Sequence, residues 1–429
     1  MNRAKSKRQF RFIDLFAGLG GFHQAAVRCG GRCVFASEIE PGLRNVYEKN
    51  FGVIPAGDIR EVKPESIPKH DLLCAGFPCQ PFSKAGDQAG MDDIKRGTLF
   101  WNILSIIKIH RPQLVLLENV AHFVRHDAGQ TYSRVKESLE AEGYFVEHRQ
   151  YSPHQFGVPQ IRERIYLLAT RKKSKPFNWP EVAIHHDLTI HSILDENPIE
   201  ATPLSLQVKQ CIKTWQQFLD CIPLRDPLPS FPIWSMEFGA TYPYDKGALA
   251  ALPLPKLRRS LGAFGCSLDG FKRAELLLRL PKYALNTEDF PKWKQDFIRQ
   301  NREFWARHGP RLRTWLPKIK KFPTSLQKLE WNCQGEERRI QNYIIQFRAS
   351  GMRVKRPTTS PSLVAMTSTQ IPIIGWQNRY MTARECARLQ SMNELESLPS
   401  GIAAFKALGN AVNVDVVEAV LRGAISHLK

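Results

Sequence analysis

The first 170 residues predict an α/β fold, with a parallel sheet covered by helices on both faces. Short apolar runs recur along this stretch, and the segments between them carry apolar residues at helical spacing. The residues best suited to chemistry also fall at one place in the pattern. The glycines at 18, 20 and 21, Glu38, Asp58, Cys79 and Glu118 all follow an apolar run. Ligands of such sheets bind beyond the carboxyl ends of the strands.

Residues 10–16 read as a buried strand that leads into a glycine-rich turn. A helix over 24–28 follows and stops at Gly30 and Gly31. Residues 33–37 form the next strand. Pro41 suits a first helical turn, and Leu43, Val46 and Tyr47 line one helical face until Gly52 ends it. Residues 71–75 are a short apolar strand. Leu99, Ile103, Ile106 and Ile107 follow helical spacing, and 114–117 is another strand. Tyr132, Val135 and Leu139 mark a helix closed by Gly143, and 165–169 is again a strand. The alternation then stops. Residues 173–375 read as a smaller, irregular domain, with prolines at 223–232 and 253–255 and seven of the nine tryptophans. Near the end Val416, Val417, Val420, Leu421 and Ala424 make an amphipathic helix. Three segments result: 1–172, 173–375, and 376–429, the last returning to the first domain.

Apolar residues at 43% and charged residues at 24% describe a folded chain rather than a disordered one. No apolar run is long enough to span a bilayer, and the basic start has no apolar core of a secretory signal, so a cytoplasmic protein is expected. The nine cysteines show no zinc-site spacing, so no metal is expected and reduced thiols are the default. Net charge is +20 and unevenly spread: residues 171–360 hold 32 basic and 18 acidic residues, and residues 291–360 hold 17 and 5. A concentrated basic excess points to a polyanionic partner, a nucleic acid first, although surface charge for solubility gives the same count.

Four short segments can carry chemistry. In DLFAGLGG at 14–21 a strand runs into glycines that let a ligand approach the backbone and free helix N–H groups, and Glu38 ends the second strand where a ribose can be held. The pattern is GxGG, not the GxGxxG of dinucleotide binders, and an ordinary tight turn would look the same. In GFPCQPFS at 76–83 two prolines hold the backbone extended around Cys79. A thiol just past a strand can act as a nucleophile, or can be a buried structural cysteine. Glu118 ends an apolar strand, where a carboxyl can have a raised pKa and exchange protons, or can cap a turn. Arg162 and Arg164 share one face of an extended segment, suited to a phosphate, a carbonyl oxygen or a surface ion pair.

Taken together and in this order, these segments resemble the bacterial DNA cytosine-5 methyltransferases, over residues 11–170 and 376–425. DLFAGLGGF at 14–22 is similar to the cofactor loop, GFPCQPFS at 76–83 to the catalytic loop, ENV at 118–120 to the acidic motif and QFGVPQIRERIY at 155–166 to the basic motif. TARECARLQ at 382–390 and GNAV at 409–412 are similar to the last two motifs; Ala411 stands where serine is common. The resemblance implies a Rossmann-like S-adenosylmethionine-dependent methyltransferase domain, with 173–375 as the variable target-recognition domain. It implies that Cys79 is the nucleophile, that Glu118 protonates ring nitrogen 3 of cytosine, and that Arg164 contacts the carbonyl oxygen. Arg162 would support the catalytic loop or a phosphate. Phe16, Gly18, Gly20, Glu38, Ile39, Asp58 and Ile59 would line the S-adenosylmethionine site, with Glu38 on the ribose, Ile39 on the adenine and Asp58 on its amino group. Pro78 and Asn410, Ala411 and Val412 would close it, and Gln80 and Ser83 would meet DNA.

The implied partners are double-stranded DNA and, functionally, a restriction endonuclease, with the enzyme acting as a monomer in a bacterial cytoplasm. Three rivals share parts of this pattern. A dinucleotide oxidoreductase would need GxGxxG. The eukaryotic tRNA-methylating branch carries a PPCQ loop and a Cys-Phe-Thr motif, where this chain has GFPCQ and no Cys-Phe-Thr. A catalytically dead DNA-binding relative would have lost residue types that are all present here.

Overall fold

The computed structural model describes residues 9–77, 99–171, 176–245, 249–285, 290–364 and 370–428. The chain packs as two compact units, residues 1–196, 358–368 and 382–429 in one, and 197–357 and 369–381 in the other. Among the described residues no helix is long and apolar enough to cross a membrane.

The first unit opens with strand β1 (Phe10–Leu15), helix α1 (Gly21–Arg28), strand β2 (Gly31–Ser37) and helix α2 (Pro41–Phe51). Strand β3 (Leu72–Gly76), helix α3 (Leu99–His110), strand β4 (Leu114–Val120), helix α4 (Gln130–Ala141) and strands β5 (Phe145–Tyr151) and β6 (Arg164–Thr170) follow. The sheet order is β2-β1-β3-β4-β6-β5. Pairs β1–β2, β1–β3 and β3–β4 are parallel. Leu72, Leu73, Cys74, Ala75 and Leu114 to Leu117 are wholly buried, as central strands covered on both faces must be.

Two corrections to the sequence expectation arise at the far end of this sheet. Strand β6 runs antiparallel to β4 and to β5, so the sheet is not wholly parallel. The link from β5 to β6 contains only a short 3-10 turn, with no helical crossover to turn the chain around. Strand β5 itself was not expected. It is an edge strand of sequence FVEHRQY whose middle residues stay partly exposed, so it lacks an apolar run.

The second unit is not irregular, contrary to expectation. It contains helix α5 (Leu206–Cys221), strand β7 (Ile233–Trp234), and helices α6 (Leu254–Arg258), α7 (Arg273–Leu277), α8 (Lys292–Leu312) and α9 (Leu316–Ile319). Strands β8 (Lys328–Asn332), β9 (Ile344–Arg348), β10 (Gly351–Lys355), β11 (Ile373–Ile374) and β12 (Arg379–Tyr380) complete it. The sheet order is β12-β11-β9-β10-β8-β7, with only β8 and β10 parallel. Its core is aromatic: the Trp215 and Trp315 rings lie 5.2 Å apart, packed with Phe218, Phe238 and Phe304. Both indole N–H groups are satisfied, Trp215 donating to the Leu326 carbonyl at 2.9 Å and Trp315 to that of Thr214 at 2.7 Å.

The chain then re-enters the first unit as helices α10 (Ala383–Arg388), α11 (Ile402–Asn410) and α12 (Val414–Ala424). Thr382 and Glu385 form a capping box at α10, and the Asn413 side chain accepts the Val416 N–H to start α12. Helix α12 buries Val416, Val417, Val420, Leu421 and Ala424, the expected face. Residues 176–196 also pack with the first unit: Trp179 donates to Glu147 at 2.8 Å, and the Asn178 N–H to the Gly423 carbonyl at 3.3 Å.

Candidate active site

The end of β1 sets the site. Phe16 takes φ +57°, in the left-handed region, and its neighbour Ala17 donates its N–H to the Ser37 carbonyl at 2.9 Å. Gly20, at φ +76°, begins α1, and a Cβ there would run into the Phe51 ring. The tight turn therefore demands glycine at 20. Behind it Asp14 is fully buried, and burial raises its carboxyl well above the usual range despite a hydrogen bond from the Tyr47 hydroxyl at 3.2 Å. Tyr47 also meets His23 Nδ1 at 2.7 Å, and burial lowers His23 to about 4.

At the end of β2 the Glu38 carboxylate is buried and fixed at both oxygens. Oε2 accepts the Gly18 N–H at 2.8 Å, and Oε1 accepts the Glu40 N–H at 2.9 Å. Each oxygen keeps a lone pair for a further donor, such as a ribose hydroxyl. Ile39 beside it is 58% exposed, an apolar side chain free to cover a flat ring.

At the end of β4, Glu118 stands opposite Tyr166 in the antiparallel ladder, and Arg164 stands opposite Val120. Arg164 is thus a diagonal neighbour of Glu118 on the same sheet face. Its Nε lies 3.0 Å from Glu118 Oε1. Burial pushes the Glu118 carboxyl up, while the charges of Arg164 and then Arg162 pull it down, and burial prevails. The next residue, Asn119, is buried and donates from Nδ2 to the Phe77 carbonyl at 3.0 Å. It therefore anchors the backbone two residues before Cys79.

Arg162 is almost wholly buried, and its two terminal nitrogens donate to backbone carbonyls: those of Leu363, Gly409 at 2.8 Å and Ala411 at 3.0 Å. Burial, then the charge of Arg164, lower its pKa to about 9. Those bonds commit it to the segment around Asn410 rather than to a phosphate. Gln160 acts in the same region, donating to the Leu389 carbonyl at 2.7 Å and accepting the Leu363 N–H at 3.3 Å.

These groups surround one cavity of about 550 Å³. Of the expected residues, Phe16, Gly18, Glu38, Ile39, Glu118, Arg162, Arg164, Asn410, Ala411 and Val412 line it. Gly20, Asp58 and Ile59 do not; Gly20 supports the turn, Ile59 is buried, and Asp58 is held by Arg60, whose guanidinium keeps the carboxyl below its usual range. Pro78, Cys79, Gln80 and Ser83 lie outside the described residues. Sequence reasoning missed Ala403, Lys406 and Ala407, which share a face of α11 with the expected Asn410. The signal was there, as small residues at 403 and 407 leave room one turn apart.

The fold and this cavity define a Rossmann-like methyltransferase. The model of the C-5 cytosine-specific DNA methylase family matches residues 10–218 and 274–426, and the chain belongs to that family. It is 31% identical to the type II methyltransferase M.AluI of Cellulosimicrobium cellulans, over 98% of this chain and 92% of that protein. A shorter stretch, 38% of this chain and 49% of the relative, is 47% identical to the type II methyltransferase M.HhaI of Haemophilus parahaemolyticus. Among solved structures, a prophage-encoded DNA modification methyltransferase of E. coli shares the fold at TM-score 0.54 and 17% identity, over 98% of this chain and 99% of that one. A DNMT2 mutant of Spodoptera frugiperda does so at TM-score 0.51 and 18% identity, over 97% of this chain and all of that one.

Proposed function

We propose that this cytosine-5 DNA methyltransferase takes its methyl group from S-adenosylmethionine and modifies a flipped-out cytosine in a specific duplex sequence, as the protective partner of a restriction endonuclease. The observation that carries the reading is the Glu118–Arg164 pair, 3.0 Å apart, opening on the same cavity as the Glu38 carboxylate. One end of that cavity suits a cytosine edge and the other a ribose. When bound, S-adenosylmethionine supplies an electrophilic methyl group on a sulfonium.

The chain's own residues make cytosine able to take it. The Cys79 thiolate adds to carbon 6, forming a sulfur–carbon bond and moving electron density to carbon 5. The raised carboxyl of Glu118 protonates nitrogen 3 and stabilises that adduct, and Arg164 balances charge at the carbonyl oxygen. After carbon 5 is methylated it loses its proton, the sulfur–carbon bond breaks, and Cys79 leaves as thiolate. Asn119 holds the root of the Cys79 segment through the Phe77 carbonyl. Extruding the base costs a few kcal/mol. The second unit supplies recognition and phosphate contacts, and the enzyme works as a monomer in a bacterial cytoplasm, since each strand can be treated separately.

A duplex carrying 5-fluorocytosine at the target, found by bisulfite sequencing of DNA from cells expressing the chain, tests this. A covalent complex with the wild-type protein in the presence of methyl donor is expected, because fluorine cannot leave as a proton does. No trapped complex at a site the enzyme methylates would overturn the mechanism.

A further inference from the structure

The cavity has three cationic side chains among its described lining residues: Arg162, Arg164 and Lys406. Two are committed. Both terminal nitrogens of Arg162 donate to carbonyls, those of Leu363, Gly409 and Ala411, and Arg164 is paired with Glu118. Lys406 makes no ion pair or hydrogen bond with any described residue and is exposed at the cavity. It sits on the face of α11 whose other members, Ala403, Ala407 and Asn410, also line the space. An exposed lysine at the mouth of a cavity, with no acidic partner of its own among the described residues, is free to form a charge-assisted contact with an anion that enters.

The location narrows which negative charge. Residues 410–412, just beyond Lys406, reach the start of α1: a Cβ on Gly21 would collide with Val412. Helix α1 has no acidic residue in its first turn and no side-chain cap, so its free N–H groups face an anion-compatible region. Glu38 and Glu40 line the cavity at the end of β2, a place for hydroxyls rather than for an anion. A ligand with hydroxyls at one end and a carboxylate at the other matches this arrangement.

Resting on the assignment of S-adenosylmethionine to this cavity, we propose that Lys406 holds the α-carboxylate of the cofactor's amino-acid end. Lys406 is then a binding residue that touches neither the cytosine nor the transferred methyl group. Its contribution appears in cofactor affinity and depends on the carboxylate.

The test compares two adenosine ligands and one duplex on the full-length protein by titration calorimetry. S-adenosylmethionine carries the carboxylate; 5′-methylthioadenosine keeps the adenosine and the sulfur but lacks the amino-acid end. Lys406→Met is expected to weaken S-adenosylmethionine about tenfold, the scale of one charge-assisted contact, and to leave 5′-methylthioadenosine within about twofold. Lys406→Arg keeps the charge and should restore most of the affinity. Equal weakening of both ligands, or none of either, overturns the proposal. Unchanged S-adenosylmethionine binding with weakened duplex binding overturns it in favour of a phosphate contact. A wild-type chain that binds no S-adenosylmethionine at all would instead remove the assignment of the cofactor.

Discussion

The two units solve the problem of burial differently. The first stacks four parallel strands whose centres are continuous aliphatic runs, and its functional groups stand at strand ends. The second has a mostly antiparallel sheet and an aromatic core whose indole N–H groups must each find a carbonyl. Its polar interior follows the same rule. Glu237 is completely buried, accepts the hydroxyls of Tyr242 and Tyr283, and pairs with Arg302 at 3.0 Å. A parallel aliphatic sheet constrains sequence at every strand and leaves chemistry to the loops. An aromatic, side-chain-wired core constrains particular contacts and leaves the exposed surface free to vary. The first design is written into the sequence as aliphatic runs, the second as scattered aromatic and polar positions.

This contrast can be broken or sharpened by substitution. The largest effect belongs to the first unit: Cys79→Ser should abolish methylation while duplex binding, followed by gel shift, persists. Full turnover in that variant would show that the chemistry lies elsewhere. Glu118→Gln should reduce turnover by about 100-fold, the scale of lost acid catalysis. It should also remove a fall in rate expected of wild type as pH rises through the raised Glu118 pKa, because only the protonated carboxyl donates. A pH–rate profile under single-turnover conditions reads both.

The next effect belongs to the second unit and to binding alone. No Asp or Glu lies between Glu303 and Glu330, whereas Arg307, Arg311 and Arg313 are exposed there. Earlier in α8, Arg299 is paired with Asp296 and Glu303. Arg307→Gln, Arg311→Gln and Arg313→Gln together should flatten the plot of log duplex affinity against log salt by roughly 2 to 3, with little change in rate at saturating DNA. Arg299→Gln, which removes a charge already neutralised, should barely move that slope.

The smallest effect is on stability. Asp14 is raised by burial, so its contribution is fully present below its unfolded pKa of about 3.9 and is lost as pH rises toward the folded value. Asp14→Asn should flatten this decline, narrowing the loss in Tm between acid and neutral pH by a few degrees. Parallel Tm curves for wild type and variant would count against a protonated Asp14.

How much of this was legible in the sequence follows from the same contrast. Aliphatic runs and glycine turns announced most of the first unit, because a doubly covered strand cannot avoid an apolar run. Strand β5 escaped because an edge strand can be polar. Helix α8 escaped because its buried stripe, Ile298, Asn301, Phe304, His308 and Leu312, includes two polar residues. Asn301 is inside because it accepts the Trp234 N–H at 2.7 Å and donates to the Pro232 carbonyl at 3.0 Å, which no periodicity reveals. In the site, Glu38, Glu118 and Arg164 were legible as strand-end residues. The three carbonyls bound by Arg162 were not, since Leu363, Gly409 and Ala411 are about 200 or more residues away along the chain.

That distance has a consequence for how the protein is made. The β1 turn, Glu38, Glu118 and Arg164 leave the ribosome early, but the wall formed by Pro399, Ala403, Lys406 and Asn410 emerges more than 200 residues later. Until then Arg162 is a cation without its carbonyls, and α1 waits for the partners that Arg28 finds at Asp415 and Glu418. The nascent chain therefore presents Glu118 and Arg164 well before the α11 side of their cavity exists, and that cavity is complete only after the second unit has been synthesised.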